Sequence, residues 1–169
     1  MSLSMYQAAV PPLVCTLENL AHILSKGSAH ATEQKIDPAV LLQSRLYPDM
    51  FSLTRQVQIA CDIARRGVAR LADTEAPAVE DHETTFEELV TRVHTTVSYI
   101  KEFTPAQIDG SEEKVIQLPM RQQTLTFTGQ PFLLMFVLPN AYFHVTTAYG
   151  ILRHNGVPLG KLDFLGQPQ

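Results

Sequence analysis

Apolar residues recur at helical spacing over five stretches of the chain. From about Leu3 to His30, Val10, Leu13, Val14, Leu17, Leu20, Ala21 and Leu24 share one helix face. Pro11 and Pro12 lie inside that pattern, so the helix is expected to kink near its start or to begin only at Pro11. Asp37 before Pro38 reads as an N-cap and first helical residue, opening a short helix to Ser44. Pro48 then breaks the chain, and Asp49 is expected to cap a long helix to Asp73 with the stripe Leu53, Val57, Ala60, Ala64, Val68 and Leu71. Thr74 to Glu83, with Pro77 and several acids, reads as a loop. Thr84 with Glu87, or Thr85 with Glu88, makes a capping box for a helix carrying Phe86, Leu89, Val93, Val97 and Ile100, which ends before Pro105.

The pattern then changes period. Val115 to Leu118 and Thr124 to Thr128 are β-prone and partly alternating, with Pro119 to Gln122 as the turn, so a small β-hairpin is expected against the helices. Pro131 opens the last helix, which runs to about His154 and stops at Asn155-Gly156. A tail with Pro158, Gly160 and Gly166 follows. In it Asp163 is expected to fold back onto Arg153, with Phe164 and Leu165 covering the helix end. Four long amphipathic helices around one core predict an all-α four-helix bundle over residues 1–169, with a short extra helix and the hairpin before the last long helix. Connections longer than tight turns leave the up-and-down order open.

Composition narrows the class. With 169 residues, 45% hydrophobic and 18% charged, the chain can bury a core without staples. A net charge of -4 and no Lys/Arg cluster argue against nucleic acid. The pair Arg65-Arg66 reads as a solvated helix face. The apolar run Phe132 to Leu138 is too short to span a membrane, and no basic and apolar leader is seen. Cys15 and Cys61, outside any C-x-x-C motif, read as small apolar residues in a reducing cytoplasm, although spacing alone leaves a disulfide between them open.

In a bundle, chemistry is built by polar side chains projecting inward, so polar residues on apolar stripes are the candidates. Gln56 lies between Leu53 and Ala60, with Asp49 two turns earlier. On the last helix Asn140 and His144 are four apart among Phe136, Val137, Ala141, Ala148 and Ile151, and Thr147 continues that side. A histidine and an amide one turn apart can bind a metal, orient a water or hydrogen-bond a ligand. Equally, Asn140 can satisfy the turn that Pro139 disrupts. No H-E-x-x-H motif, phosphate loop or nucleophile elbow is present.

At the last helix the sequence resembles the DinB/YfiT-like superfamily, whose fourth helix carries H-x-x-x-H and then L-R-x-x-G. The matching residues are Asn140 to His144 and Leu152 to Gly156. The chain is also similar to an uncharacterised family within that superfamily at Leu46 to Phe51, at Gln56, and from Leu152 through Gly166. The resemblance implies a DinB-like bundle. It also implies a site where better-known members hold a divalent metal through three histidines, some of them to activate a low-molecular-weight thiol. Here only His144 matches a ligand; Asn140 replaces one histidine, and the second long helix offers Gln56 or Asp49. Amide oxygens are poor ligands for zinc or nickel. The favoured expectation is a metal-free pocket of Gln56, Asn140, His144, Asp49 and Thr147 that binds a small molecule or serves in assembly as a homodimer. The alternative is a metal- or thiol-dependent transferase or isomerase, its divalent metal held by His144, Asn140 and Gln56. A third reading makes the same residues a structural polar network fixing helix register.

Overall fold

Ser4 and Gln7 start the first helix well before its prolines. In the computed structural model, which describes residues 3–120 and 122–166, α1 runs Met5–Gln34 from a capping box: the Ser4 hydroxyl accepts from the Gln7 N–H and the Gln7 side chain accepts from the Ser4 N–H. The start is therefore not delayed to Pro11. Pro11 is exposed, where solvent can replace the lost backbone bond. α1 outruns His30 and stops at Lys35, which turns to a left-handed φ of 55°.

Asp37 caps the short helix α2, Pro38–Gln43, by accepting from the Ala39 N–H at 2.9 Å. The long helix α3 is Leu53–Leu71, with Ser52 at its N-cap. Asp49 is thus not the cap. The Arg45 guanidinium donates to the carbonyls of Pro48 and Met50, and the Met50 N–H bonds back to Tyr47, so these residues form a turn with Asp49 exposed. Thr85 and Glu88 make the capping box of α4, Phe86–Lys101. A short α5, Pro105–Ile108, was not legible as a helix because a single turn has no period to read.

Strands β1, Val115–Pro119, and β2, Thr124–Thr128, pair antiparallel with Val115 opposite Thr128 and Pro119 opposite Thr124. Within the expected turn, Arg121 lies outside the described residues. The last long rod is α6, Gly129–Pro131, then a π-helical turn, Phe132–Val137, then α7, Leu138–His154. It begins two residues before Pro131 because Gly129 fits where nothing larger does: a Cβ there would sit 1.9 Å from the Ser111 carbonyl oxygen.

Side-chain contacts fix the helix directions. Ser28 meets Glu87 and Lys101 meets Glu18, so α1 and α4 are antiparallel. Gly67 faces Val137 and Gln56 meets His144, so α3 and the last rod are antiparallel. Gln58 meets Glu83 and Asp62 meets Arg92, so α3 and α4 are parallel. The order is up-down-down-up, with α1 and α3 each packed against both α4 and α7. Parallel neighbours cannot be joined by a tight turn. The segment from Ala72 to Thr85 therefore returns along α3, whose 19 residues span about 28 Å at 1.5 Å per residue. The result is a four-helix bundle with a two-stranded sheet at the end where α3 stops.

The tail closes the opposite end. Val157 and Leu159 are buried, and α8, Lys161–Leu165, lies against α1. Asp163 does not pair with Arg153, which is exposed at the end of α7. Its carboxylate instead accepts from the Gly160 N–H at 2.7 Å, from Lys26 at 3.0 and 3.1 Å, and from the His22 ring at 3.0 Å. His22 and Lys26, one turn apart on α1, point to where α8 docks, which tail length alone could not reveal. The Gly160 N–H first, then Lys26 and His22, hold the Asp163 carboxyl below the ordinary range. Its contribution to docking is therefore complete above the usual carboxylate pKa of about 4 and is lost as pH falls through the lowered value. Asp163→Ala is expected to raise the rate of limited proteolysis after Lys161 at neutral pH, with far-ultraviolet circular dichroism unchanged. Identical cleavage of variant and parent would show that the anchor does not hold the tail.

Candidate functional site

Gln56 enters the bundle from the first turn of α3 and His144 from the second turn of α7. The antiparallel packing of these helices brings the two together. Gln56 is 1% exposed and His144 8%. The His144 Nδ1 and the Gln56 Oε1 are 2.6 Å apart, and the Gln56 Nε2 donates to the Phe51 carbonyl at 3.2 Å. That second bond fixes the amide orientation, so Oε1 is the acceptor and His144 carries its proton on Nδ1. Burial first, and then the positive charge of Arg55, lower the His144 pKa. The ring is therefore neutral at pH 7, and its Nε2 lone pair has no hydrogen-bond partner among the described residues. The Phe143 ring meets it edge-on at 5.2 Å.

The other candidates do not join this pair. Asn140 donates its amide N–H to the Phe136 carbonyl at 2.7 Å, within its own rod. The carbonyl four residues before Pro139 is that of Met135, so this bond ties Asn140 to its own rod without filling the place of the N–H that the proline lacks. Thr147 is buried and donates to the Phe143 carbonyl at 2.7 Å. Asp49 is exposed in the turn before α3. For a metal the chain thus offers one imidazole nitrogen and the second lone pair of an amide oxygen already in use. Among the described residues no group of three or more His, Cys, Asp or Glu is placed to hold one. Cys15 is exposed and Cys61 buried, and both are free thiols. Burial pushes the Cys61 thiol up to about 12, so it stays protonated and is no nucleophile.

A second polar centre lies between α3, α4 and the returning segment. Arg92 donates through Nη1 to Glu83 at 2.8 Å and to the Glu80 carbonyl at 2.9 Å, and through Nη2 to Asp62 at 3.1 Å and Asp81 at 2.9 Å. Gln58 donates to the other oxygen of Glu83 at 2.9 Å. Arg65, only 3% exposed, donates to Asp62 at 3.0 Å, so it is not part of a solvated face. Burial raises the Glu83 carboxyl, but the hydrogen bonds from Arg92 and Gln58 outweigh it and the net shift is downward. Arg55 reaches Asp81 from the start of α3.

Residues 5–165 match the family described as a domain of unknown function (DUF1993). The chain belongs to this family. Its structure is similar to the crystal structure of a DinB family member protein from Shewanella denitrificans, with 44% identity, a TM-score of 0.87, and 96% of this chain and 92% of that chain covered. No curated protein matches.

In this DUF1993 chain the arginine centre was missed, although a signal exists. Arg65 falls four after Cys61 and three before Val68, and Arg92 three after Leu89 and four before Thr96. These are stripe positions, where a charged residue implies a buried partner. A buried pair is costly to form but costlier to halve. Because Arg92 keeps Asp62 and Asp81 when Glu83 is removed, Glu83→Ala should destabilise the fold by about 1.5–3 kcal/mol, measured by urea denaturation at pH 7. In the parent, the Glu83 contribution is complete above the unfolded value of about 4.3 and is lost as pH falls through its lowered folded value. A variant within error of the parent at pH 7 would mean that the returning segment is not tied by this pair.

Proposed function

We propose that this protein acts by binding rather than by metal chemistry, and that the position of the superfamily's metal has become a hydrogen-bonded Gln56–His144 pair. One observation carries this reading. The Gln56 amide is committed on both sides, to His144 Nδ1 and to the Phe51 carbonyl, which leaves His144 Nε2 as an oriented, neutral acceptor. Such a nitrogen receives an N–H or O–H from a small organic molecule, while Phe143 and Phe51, both exposed, offer apolar surface nearby. Asn140 and Thr147 then shape the helix beside the pair instead of contacting the ligand. Asp49 has no part in it.

Tag-free protein is expected to retain only substoichiometric zinc, nickel, iron or manganese after dialysis, measured by elemental mass spectrometry. The double substitution Gln56→His with Asn140→His, which rebuilds a three-imidazole set, should take up zinc. Stoichiometric metal in the parent, lost in His144→Ala, would overturn this reading in favour of a remodelled metalloenzyme.

Self-association of two copies is the second reading, and the last rod favours it. Its π-helical turn leaves Met135 77% and Leu134 46% exposed, and Tyr142 and Phe143 continue the apolar surface along α7. Apolar side chains massed along one helix mark an interface more often than isolated ones do. Light scattering is expected to give a dimer at micromolar concentration, and Met135→Lys to shift it toward monomer. A parent that is monomeric throughout that range would remove this reading and leave the His144 proposal standing.

A further inference from the structure

The segment returning from α3 to α4 does not lie flat on the bundle. Beneath it is an open cavity of about 420 Å³, walled by Pro77 and Val79 of that segment and by Tyr99 of α4, with Arg65, Arg92 and Glu83 also lining it. Its volume falls in the range of about 300–1,000 Å³ typical of sites for small organic molecules, and such sites pair apolar walls with a few polar groups. It belongs to the face shared by α3 and α4, separate from His144 between α3 and α7.

The polar centre of this cavity is short of acceptors. Among the described residues, Arg55, Arg65, Arg66 and Arg92 form ion pairs with only Asp62, Asp81 and Glu83. Asp62 alone serves Arg65 at 3.0 Å, Arg66 at 3.1 Å and Arg92 at 3.1 Å. Two donors are buried with no partner among the described residues, Arg65 Nη1 and Arg92 Nε. Arg92 is pinned by four acceptors, whereas the Arg65 guanidinium, which also lines the cavity, is held at Asp62 alone. A buried guanidinium with an unused N–H calls for an acceptor, and a carboxylate is the strongest one for it. Glu83 cannot supply it, because its oxygens are taken by Arg92 and Gln58. Its negative charge, with those of Glu87 and Glu88 at the rim, also disfavours a dianion such as phosphate.

We infer that this cavity binds a small monocarboxylate with an aromatic or branched aliphatic body, the carboxylate paired with Arg65 and the body lying against Pro77, Val79 and Tyr99. The anion relieves the acceptor shortage and the body displaces water from the apolar walls.

The test uses 4-phenylbutyrate as probe and its uncharged amide as control, titrated into the full chain and followed by nuclear magnetic resonance. Saturable shifts are expected at the Val79 and Tyr99 resonances, with the acid preferred over the amide by about tenfold. Val79→Trp, a half-exposed strap position that fills the cavity without touching the ion pairs, should abolish binding of both. Arg65→Gln should erase the preference for the acid. Because Arg65 sits in a buried network, Val79→Trp is the decisive variant if Arg65→Gln does not fold. Absence of saturable binding at millimolar probe, equal affinity for acid and amide, or shifts that survive in Val79→Trp would overturn the inference. None of these outcomes bears on His144, whose resonances report the other site.

Discussion

The guanidinium of Arg92 holds together three stretches of chain that secondary structure does not join. Projecting from α4, it reaches Asp62 on α3 and Glu80, Asp81 and Glu83 on the returning segment. The fold depends on it because α3 and α4 run in the same direction. Their connection has to travel the length of a helix with no hydrogen-bonding pattern of its own, and side-chain ties take over the role that backbone ladders play elsewhere. The desolvation cost of a buried arginine is offset only because nearly all its N–H groups are matched. Among the described residues, the buried unmatched nitrogens Arg92 Nε and Arg65 Nη1 both belong to groups that line the cavity beneath the same segment.

The direction of α3 also decides what His144 meets. Running antiparallel to the last rod, α3 presents Gln56 to the second turn of α7, while Gly67 lets the helices approach so closely that a Cβ would lie 2.7 Å from Val137. Val137 ends the π-helical turn, where the Leu138 N–H reaches back to the Leu133 carbonyl. Pro139 then contributes no donor and Asn140 turns inward on its own helix to bond Phe136. The residue in the first histidine's place bonds the backbone of its own helix, at the Phe136 carbonyl.

Two polar centres on opposite sides of α3 follow from this plan. One is buried and neutral, a ring nitrogen oriented by an amide. The other is charged and opens to solvent under the strap. α3 supplies Gln56 to the first and Gln58, Asp62 and Arg65 to the second, and its apolar stripe runs between them. The tail adds a third tie at the far end, where Asp163 docks on His22 and Lys26 and seats Phe164 against Tyr149, with ring centroids 6.3 Å apart.

By itself the sequence determined the long helices, the hairpin, two of the caps and the inward-facing character of Gln56 and His144, while leaving Gln56 and Asp49 both open as the partner of His144. Each of these is local: apolar spacing, a Thr85–Glu88 box or alternating β-branched residues are decided within a few positions of the chain. Asp49 misled because a proline followed by an acid has the same short-range signature whether it caps a helix or lies in the turn before it. The tertiary structure alone decided the up-down-down-up order, the partner of Asp163, the diversion of Asn140 to its own backbone, and the burial of Arg65 and Arg92. Periodicity says which face of a helix is covered but not by what. A charged residue at the edge of a stripe looks the same in sequence whether it borders solvent or meets a carboxylate brought by a distant segment, and only the packed helix order fixes which segment arrives.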